Sequence, residues 1–254
     1  ADGYPSSQPG IPPDSFAPQG QLWGNPVYKW DVLKQQEYAW WLQRFERSFD
    51  LYDFTRLDHF IGFTSFYDVQ SGHAASEGSD VFGPGLDLFR VAFQHFGALP
   101  LIAEDLGSIT PAVRALLAET GIPGMSVAVF SNQDPREHFE ANLETIVYTS
   151  THDTPTLAGY LKRRFIYPDN EDAWCDGSFD EKTHEAFERV LKNVLTLPND
   201  VAVIPLQDIL GLDDSARMNV PGTVEGNWAW RCPSGMLTSA VAEKLCALAK
   251  HVAR

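Results

Sequence analysis

The sequence is short of three things, and each shortage narrows what the protein can be. It has three cysteines, Cys175, Cys232 and Cys246, odd in number, widely spaced and without a CxxC pair. No disulfide framework or structural metal site is expected from them, and a reducing compartment, the cytoplasm, is the economical reading. No apolar run approaches the ~20 residues that span a bilayer, and Ala1-Asp2-Gly3-Tyr4 is not the charged-then-apolar start of an export signal. Basic residues are few: 19 Lys and Arg stand against 34 Asp and Glu, for a formal charge of −15. Such a chain repels phosphate backbones and anionic lipid, so neither nucleic acid nor membrane is an expected partner, and a neutral or cationic substrate fits better. An initiator Met is also absent, which points to processing or truncation.

What is present is ordinary globular material. At 254 residues, 44% hydrophobic and 21% charged, the chain can bury one large core or two smaller ones. Residues 1–26 are rich in Gly, Pro, Ser and Gln and read as loop, one that carries Phe16 and Trp23 and therefore packs over a site or against a core. Asp31 can cap a helix running to about Ser48, with Leu33, Tyr38, Trp41, Leu42 and Phe45 at helical spacing. A strand is expected within Leu51 to Gly62, then a long loop from Thr64 to Gly85 and a helix from Leu86 to about Phe96.

The plan then repeats. Strand Leu101 to Ala103 precedes Thr110-Pro111, an N-cap with Pro at the first helical position, and a helix to about Thr120. Met125 to Phe130, Thr145 to Thr149 and Val201 to Leu206 read as strands, with a brief helix between Pro135 and Asn142. Helices are expected over Thr156 to Arg164, Glu181 to Leu195 and Thr238 to Val252. Strand alternating with helix implies βα units and a parallel sheet, hence an α/β fold. No glycine-rich phosphate loop follows a strand, and acidic residues come from several strand ends, which favours a (β/α)8 barrel of the TIM type over an open sheet. The central strands number roughly five, fewer than the ~8 that close a barrel, so the barrel is incomplete.

Three strand ends carry the chemistry. Arg56 and Asp58 stand two apart at the end of an aromatic, alternating run, so the period of two puts both on one face. A guanidinium beside the Asp58 carboxyl favours its charged form, as a carboxylate nucleophile requires. Leu101-Ile102-Ala103-Glu104-Asp105 and Val147-Tyr148-Thr149-Ser150-Thr151-His152-Asp153 are apolar runs that break into polar residues in the same way. Retaining glycosyl transfer needs one ionised carboxylate and a second kept protonated, roughly 5–5.5 Å apart. Asp58 suits the first role. Glu104 suits the second, because its apolar approach and a neighbouring carboxylate should raise its pKa. Asp153, with His152, is suited to holding sugar hydroxyls and favouring a cationic transition state.

Rival chemistries find less support. There is no HExxH and no calcium-loop pattern, so no metal and no cofactor is expected; there is no GxSxG elbow either. The acidic stretch Asp169 to Glu181 reads as a solvated surface loop, and the remaining carboxylates as mostly solubilising.

Seven stretches in order along the chain resemble the 4-alpha-glucanotransferases, also called amylomaltases or disproportionating enzymes, relatives of the alpha-amylases. They are Gly10-Ile11-Pro12-Pro13-Asp14, Gly20-Gln21-Leu22-Trp23-Gly24-Asn25-Pro26, Arg56-Leu57-Asp58-His59-Phe60, Ile102-Ala103-Glu104-Asp105-Leu106-Gly107, Gly121-Ile122-Pro123-Gly124-Met125, Thr151-His152-Asp153 and Arg217-Met218-Asn219-Val220-Pro221-Gly222-Thr223. Gly226-Asn227-Trp228-Ala229-Trp230-Arg231 follows. The resemblance implies Asp58 as nucleophile, Glu104 as acid/base and Asp153 as transition-state stabiliser, with Arg56 and His152 in support. It further implies that Asp14 and Phe16 belong to a lid loop within a 1–30 lid and entry segment, and that Asn227 and Trp228 line a glucan groove. Trp23 and His59, inside matched motifs, count as substrate-binding with them.

The implied reaction moves α-1,4-glucan segments between maltooligosaccharides, or onto glucose as acceptor, through a covalent glycosyl-enzyme. The resemblance also marks departures. Ser15 stands where the family commonly carries an aromatic, the loop from Ser71 to Asp80 is unlike the usual one, and the long amino-terminal portion that normally precedes the Gly10 motif is absent. Residues 1–254 therefore look like the carboxyl-terminal part of such a barrel, holding strands about 4 to 8. The competing expectations are an inactive or glucan-binding fragment that needs the missing half, and an α-glucan hydrolase.

Overall fold

A computed structural model of the chain describes residues 3–13, 18–131, 133–174 and 179–251. The chain divides into two compact units, Ala1–Gly124 and Met125–Arg254.

The first unit combines a small antiparallel sheet with a pair of parallel strands among helices. Strands β1 (Ser7–Ile11) and β2 (Gln21–Leu22) lead to helices α1 (Trp30–Gln35) and α2 (Ala39–Leu51), then to β3 (Thr55–Leu57), β4 (Ser65–Gln70) and β5 (Ser79–Phe82). Helix α3 (Leu86–Phe96), strand β6 (Leu101–Ala103) and helix α4 (Pro111–Thr120) complete it. The antiparallel sheet runs β2-β1-β4-β5, with Ser7 opposite Gln70 and Gly10 opposite Tyr67. A Cβ on Gly10 would lie 2.1 Å from the Gln21 carbonyl oxygen, so only glycine lets β1 and β2 approach.

Two expectations are corrected by this sheet. The Gly- and Pro-rich start and the segment from Thr64 to Gly85 are not simply loop: each supplies strands, because they pair with one another across some sixty residues of sequence. A third correction concerns the helix expected from Asp31 to Ser48. Glu37 and Tyr38 both take left-handed φ values, 52° and 55°, which breaks it into α1 and α2. The Tyr38 N–H turns back to the Leu33 carbonyl at 2.8 Å and the ring is buried, so core packing compensates a backbone conformation that non-glycine residues avoid. The strand expected within Leu51 to Gly62 is reduced to Thr55–Leu57, since Leu51 still belongs to α2 and Phe60–Phe63 forms a 3-10 turn.

The core of this unit sits between the parallel pair and the helices. Trp41 and Phe45 of α2, Leu88, Phe89 and Ala92 of α3, and Val113 and Leu116 of α4 bury their apolar stripes around Leu57, Leu101 and Ala103. Phe60 and Phe63 fill the space beneath, with Phe89 5.6 and 5.3 Å from their ring centres. Helix α4 begins and ends as its sequence predicts: the Val113 N–H donates to the Thr110 hydroxyl at 3.4 Å, Pro111 opens the first turn, and Gly121 closes it at φ 64°.

The second unit opens with β7 (Gly124–Val127), which stops where a 3-10 turn takes over at Ala128, short of the expected Phe130. Strand β8 (Thr145–Tyr148), helices α5 (Leu157–Leu161) and α6 (Glu181–Thr196), strand β9 (Ala202–Val203), and helices α7 (Leu206–Ile209) and α8 (Ser239–His251) follow. The strands are ordered β7-β8-β9, and β8 and β9 are parallel, with Val147 opposite Ala202. The brief helix expected at Pro135 to Asn142 is a turn followed by chain without regular secondary structure, and α5 passes into a π turn over Lys162–Ile166.

Helix α6 carries Thr183, Ala186, Phe187, Val190, Leu191 and Val194 on one buried face, its start capped by Asp180, which accepts from the Thr183 N–H at 2.8 Å. Helix α8 lies against it through the ion pair of Lys244 with Glu188. Several carboxylates expected to solubilise do not. Asp208 and Asp213 are buried, the latter paired with the buried Lys162 at 3.1 Å, and Asp214 is paired with Arg163. Among the described residues no helix is long and apolar enough to cross a membrane.

Replacing Phe89 by Ala should lower the unfolding free energy by about 3–5 kcal/mol, the cost of deleting a buried aromatic and leaving a cavity. Denaturant titration of the variant against the parent reads it, and a loss under ~1 kcal/mol would show that this ring is not where the core closes.

Candidate functional site

The parallel pairing of β3 with β6 sets the first group of residues. Arg56 is opposite Ile102 and Leu57 opposite Ala103, so Asp58 and Glu104 leave adjacent strands side by side. The main chain continues the ladder one step further, the Glu104 N–H donating to the Leu57 carbonyl and the Phe60 N–H to the Glu104 carbonyl, each at 2.9 Å. His59, between them, takes a left-handed conformation, φ 49°. That turn aims its N–H at Glu104, whose Oε2 accepts it at 2.7 Å, while Oε1 accepts the Leu106 N–H at 3.2 Å.

The two carboxyl groups are placed in opposite surroundings. The Asp58 side chain is 78% exposed and accepts from the Arg56 guanidinium at 2.7 Å. Glu104 is half-buried, and burial pushes its carboxyl above the usual carboxylate range; the His59 N–H and the Arg56 charge oppose that shift, while the Asp58 charge adds to it. The direction is the one expected from sequence, with desolvation as the larger cause. Burial also pulls the His59 imidazole below its ordinary value, against the Asp58 charge.

Trp23 meets the His59 ring edge-on, 4.9 Å between centres. Both line a cavity of about 580 Å3 shared with Arg56, Asp58, Tyr28, Trp30 and Arg44. The lining is therefore both aromatic and charged, as expected of a site that grips an uncharged polar ring by its apolar faces.

In the second unit the segment after β8 carries His152 and Asp153. His152 Nε2 is 3.2 Å from Asp153 Oδ2, and the Asn219 amide donates to Asp153 Oδ1 at 2.6 Å. Arg217 donates to the Asp153 carbonyl at 2.7 Å, and the Asn219 N–H to the His152 carbonyl at 3.1 Å. Trp228, half-exposed and at φ 60°, lies with its ring 5.3 Å from that of His152. Asn227 is turned inward. Its Oδ1 accepts from the Val220 N–H and its Nδ2 donates to Thr223, so both ends of the amide are bonded within the loop it closes.

Asp14 and Phe16 lie outside the described residues. Among the described residues no three His, Cys, Asp or Glu side chains are grouped as a metal ion would need. Sequence reasoning passed over Arg217, Asn219 and Asp208. The first two stand in a matched stretch, which was the available signal; nothing in the local pattern around Asp208 marks its burial.

Comparison with known proteins gives one consistent answer. Residues 4–238 match the family profile Glyco_hydro_77, described as 4-alpha-glucanotransferase. A 4-alpha-glucanotransferase of Streptococcus pneumoniae serotype 4 is 38% identical over 245 residues, covering 93% of this chain and 48% of the relative. One from Thermus thermophilus is 37% identical over 267 residues, covering 100% and 53%. The solved structure of an amylomaltase from Streptococcus agalactiae in complex with acarbose superposes with a TM-score of 0.87 at 32% identity, covering 98% of this chain and 51% of that one. The chain thus spans about half the length of the relatives it matches.

The raised Glu104 pKa can be tested by its causes. Following the Glu104 carboxyl by carbon NMR, Asp58→Asn should lower its pKa by removing a like charge, and Arg56→Ala should raise it by removing an opposite one. Because the folded value is raised, this group favours the fold most at low pH; that contribution declines as pH climbs through the ordinary carboxylate range and levels off above the raised value. Shifts of equal sign in both variants would show that these charges do not act on Glu104.

Proposed function

This chain belongs to the Glyco_hydro_77 family of 4-alpha-glucanotransferases, and from that premise we propose that it carries the reacting carboxylates of a retaining glucan transfer. The observation that carries the reading is the pair at the ends of β3 and β6: an exposed Asp58 beside Arg56, and a half-buried Glu104 with its proton affinity raised. Asp58 attacks the anomeric carbon of an α-1,4-linked glucosyl unit. Glu104, neutral at the start, gives its proton to the departing glycosidic oxygen, leaving the glucan esterified to Asp58. The arriving acceptor hydroxyl then gives its proton to Glu104 and displaces Asp58, so the anomeric configuration is retained.

Arg56 orients the Asp58 carboxylate by donating to it, and the Asp58 charge raises the Glu104 proton affinity. Once Asp58 is esterified that charge is gone, so Glu104, now deprotonated, is held less strongly towards its neutral form until the acceptor hydroxyl gives it a proton. Asp153, with His152 at hand, binds sugar hydroxyls and favours the oxocarbenium-like transition state. Trp23, His59 and Trp228 offer ring faces to glucose; Asn227 acts by shaping its loop, and Asp14 and Phe16 belong to a lid over the acceptor.

We take the parallel pairs to be part of a (β/α)8 barrel, strands about 4 to 8, within which residues 1–254 form the carboxyl-terminal part of the catalytic domain and 1–30 the lid and entry segment. Donors are maltooligosaccharides and longer α-1,4-glucans, and glucose is an acceptor. The sparse, unpaired-by-motif cysteines support the cytoplasm as the working compartment.

The chain as encoded in full, incubated with maltotriose, should yield both glucose and oligomers longer than the substrate. Asp58→Asn should lower that rate by about 10^4-fold or more and abolish the covalent glycosyl-enzyme in mass spectra. Products of hydrolysis alone would make the protein an α-glucan hydrolase, and undiminished turnover in the variant would remove Asp58 from its role.

A further inference from the structure

One fully buried ionisable group among the described residues of the second unit lies outside the residues so far given a role. Asp208 sits in α7, immediately after β9, and is fully buried together with Thr149, Ser150 and Leu157. Its Oδ2 accepts from the hydroxyls of Thr149 and Ser150, at 2.5 and 2.6 Å, and its Oδ1 from the Leu157 N–H at 2.7 Å. All three donors are neutral. Burial pushes the carboxyl above its ordinary range against these bonds, and the Asp214 charge adds to the shift.

The positions of the donors matter more than their number. Thr149 and Ser150 follow the last residue of β8, and Leu157 is the first residue of α5. Between them runs the loop that carries His152 and Asp153. Within that loop the Thr151 N–H donates to the Thr154 hydroxyl at 2.9 Å and the Asp153 N–H to the Thr151 hydroxyl at 3.3 Å. These short-range bonds shape the loop, whereas Asp208 grips where it leaves the strand and where it enters the helix. Asp214 reinforces the second grip by accepting from the Thr156 N–H at 2.9 Å. From above, Arg217 and Asn219 hold Asp153 itself. One stretch of chain, 208–219, therefore fixes the loop at both ends and at its functional residue.

We propose that Asp208 is a positioning residue for Asp153, its buried carboxylate clamping both ends of the loop so that Asp153 and His152 meet the substrate in one fixed orientation. The inference rests on the reading of Asp153 as the group that stabilises the glycosyl transition state. A buried carboxylate with only neutral donors is a costly way to close a loop, since apolar residues of the same volume would pack without desolvating a charge. What it supplies instead is directional: three donors converge on one rigid fork, and a misplacement of ~1 Å at a reacting group can lower a rate by about 100-fold.

The test uses Asp208→Asn in the chain as encoded in full, which keeps the shape but puts an amide NH2 where two hydroxyls donate. With maltotriose, kcat should fall at least about tenfold while KM stays within about threefold, the pattern of an interaction felt in the transition state. Amide hydrogen exchange should speed up about tenfold or more across residues 151–157, with α6 unchanged. The paired variant Thr149→Val, Ser150→Ala removes two donors without touching the carboxylate and should show the same pattern, which keeps the test open if Asp208→Asn does not fold. An unchanged kcat, a loss shared equally with KM, or unaltered exchange at 151–157 would each overturn the positioning role. Should the parent protein transfer no glucan at all, the functional reading fails by itself, and the exchange measurement alone decides whether Asp208 holds the loop.

Discussion

The constraint on which the site depends is a three-residue parallel register. Pairing Thr55–Leu57 with Leu101–Ala103 leaves Asp58 and Glu104 as the next residues on neighbouring strands, and no side-chain interaction has to bring them together. Their surroundings differ in depth and in charged neighbours. Asp58 reaches solvent and a guanidinium; Glu104 is drawn down by the His59 and Leu106 N–H groups into surroundings that disfavour its charge. The strand pair is in turn held by the apolar faces of α2, α3 and α4, which leave Leu57, Leu101 and Ala103 almost no solvent contact. A one-residue slip of that pairing would send one of the two carboxyl groups to the opposite face.

How much of this could be read from residues alone differs sharply between its parts. The strand ends before Asp58, Glu104 and Asp153 were legible because strands packed on a core must be apolar, so a polar break after Leu57, Ala103 or Tyr148 is visible in one dimension. The α4 boundaries were legible for the same local reason, Thr110-Pro111 at one end and Gly121 at the other. The antiparallel sheet was not, because Ser7–Ile11 becomes a strand only by meeting Ser65–Gln70, and neither segment alternates clearly by itself. The break at Glu37 and Tyr38 was hidden because apolar residues continue at helical spacing through it; only the burial of Tyr38 explains why the chain accepts two left-handed residues there. Asn219 and Asp208 were invisible as partners, since each meets the Thr149–Asp153 segment from some sixty residues away.

The acidic composition also has to be divided by place. A charge of −15 suggests a solvated surface, yet three aspartates of the second unit have buried side chains, and the fold treats each differently. Asp213 is matched by the buried Lys162, and Asp214 by Arg163 and the Thr156 N–H. Asp208 has hydroxyls and an amide. Pairing with a cation protects a buried charge but leaves it dependent on its partner, since removing one member of such a pair typically costs about 3–5 kcal/mol. Neutral donors offer less energy and more direction, because each hydroxyl must point at one oxygen to be satisfied. The ion pairs lie in the helical part of the unit, at the join of α5 with its π turn, whereas the neutral-donor carboxylate lies under the loop bearing His152 and Asp153. Cation-paired and neutral-donor carboxylates thus occupy different places within the same unit, and the neutral-donor one is bonded to both ends of the His152 and Asp153 loop.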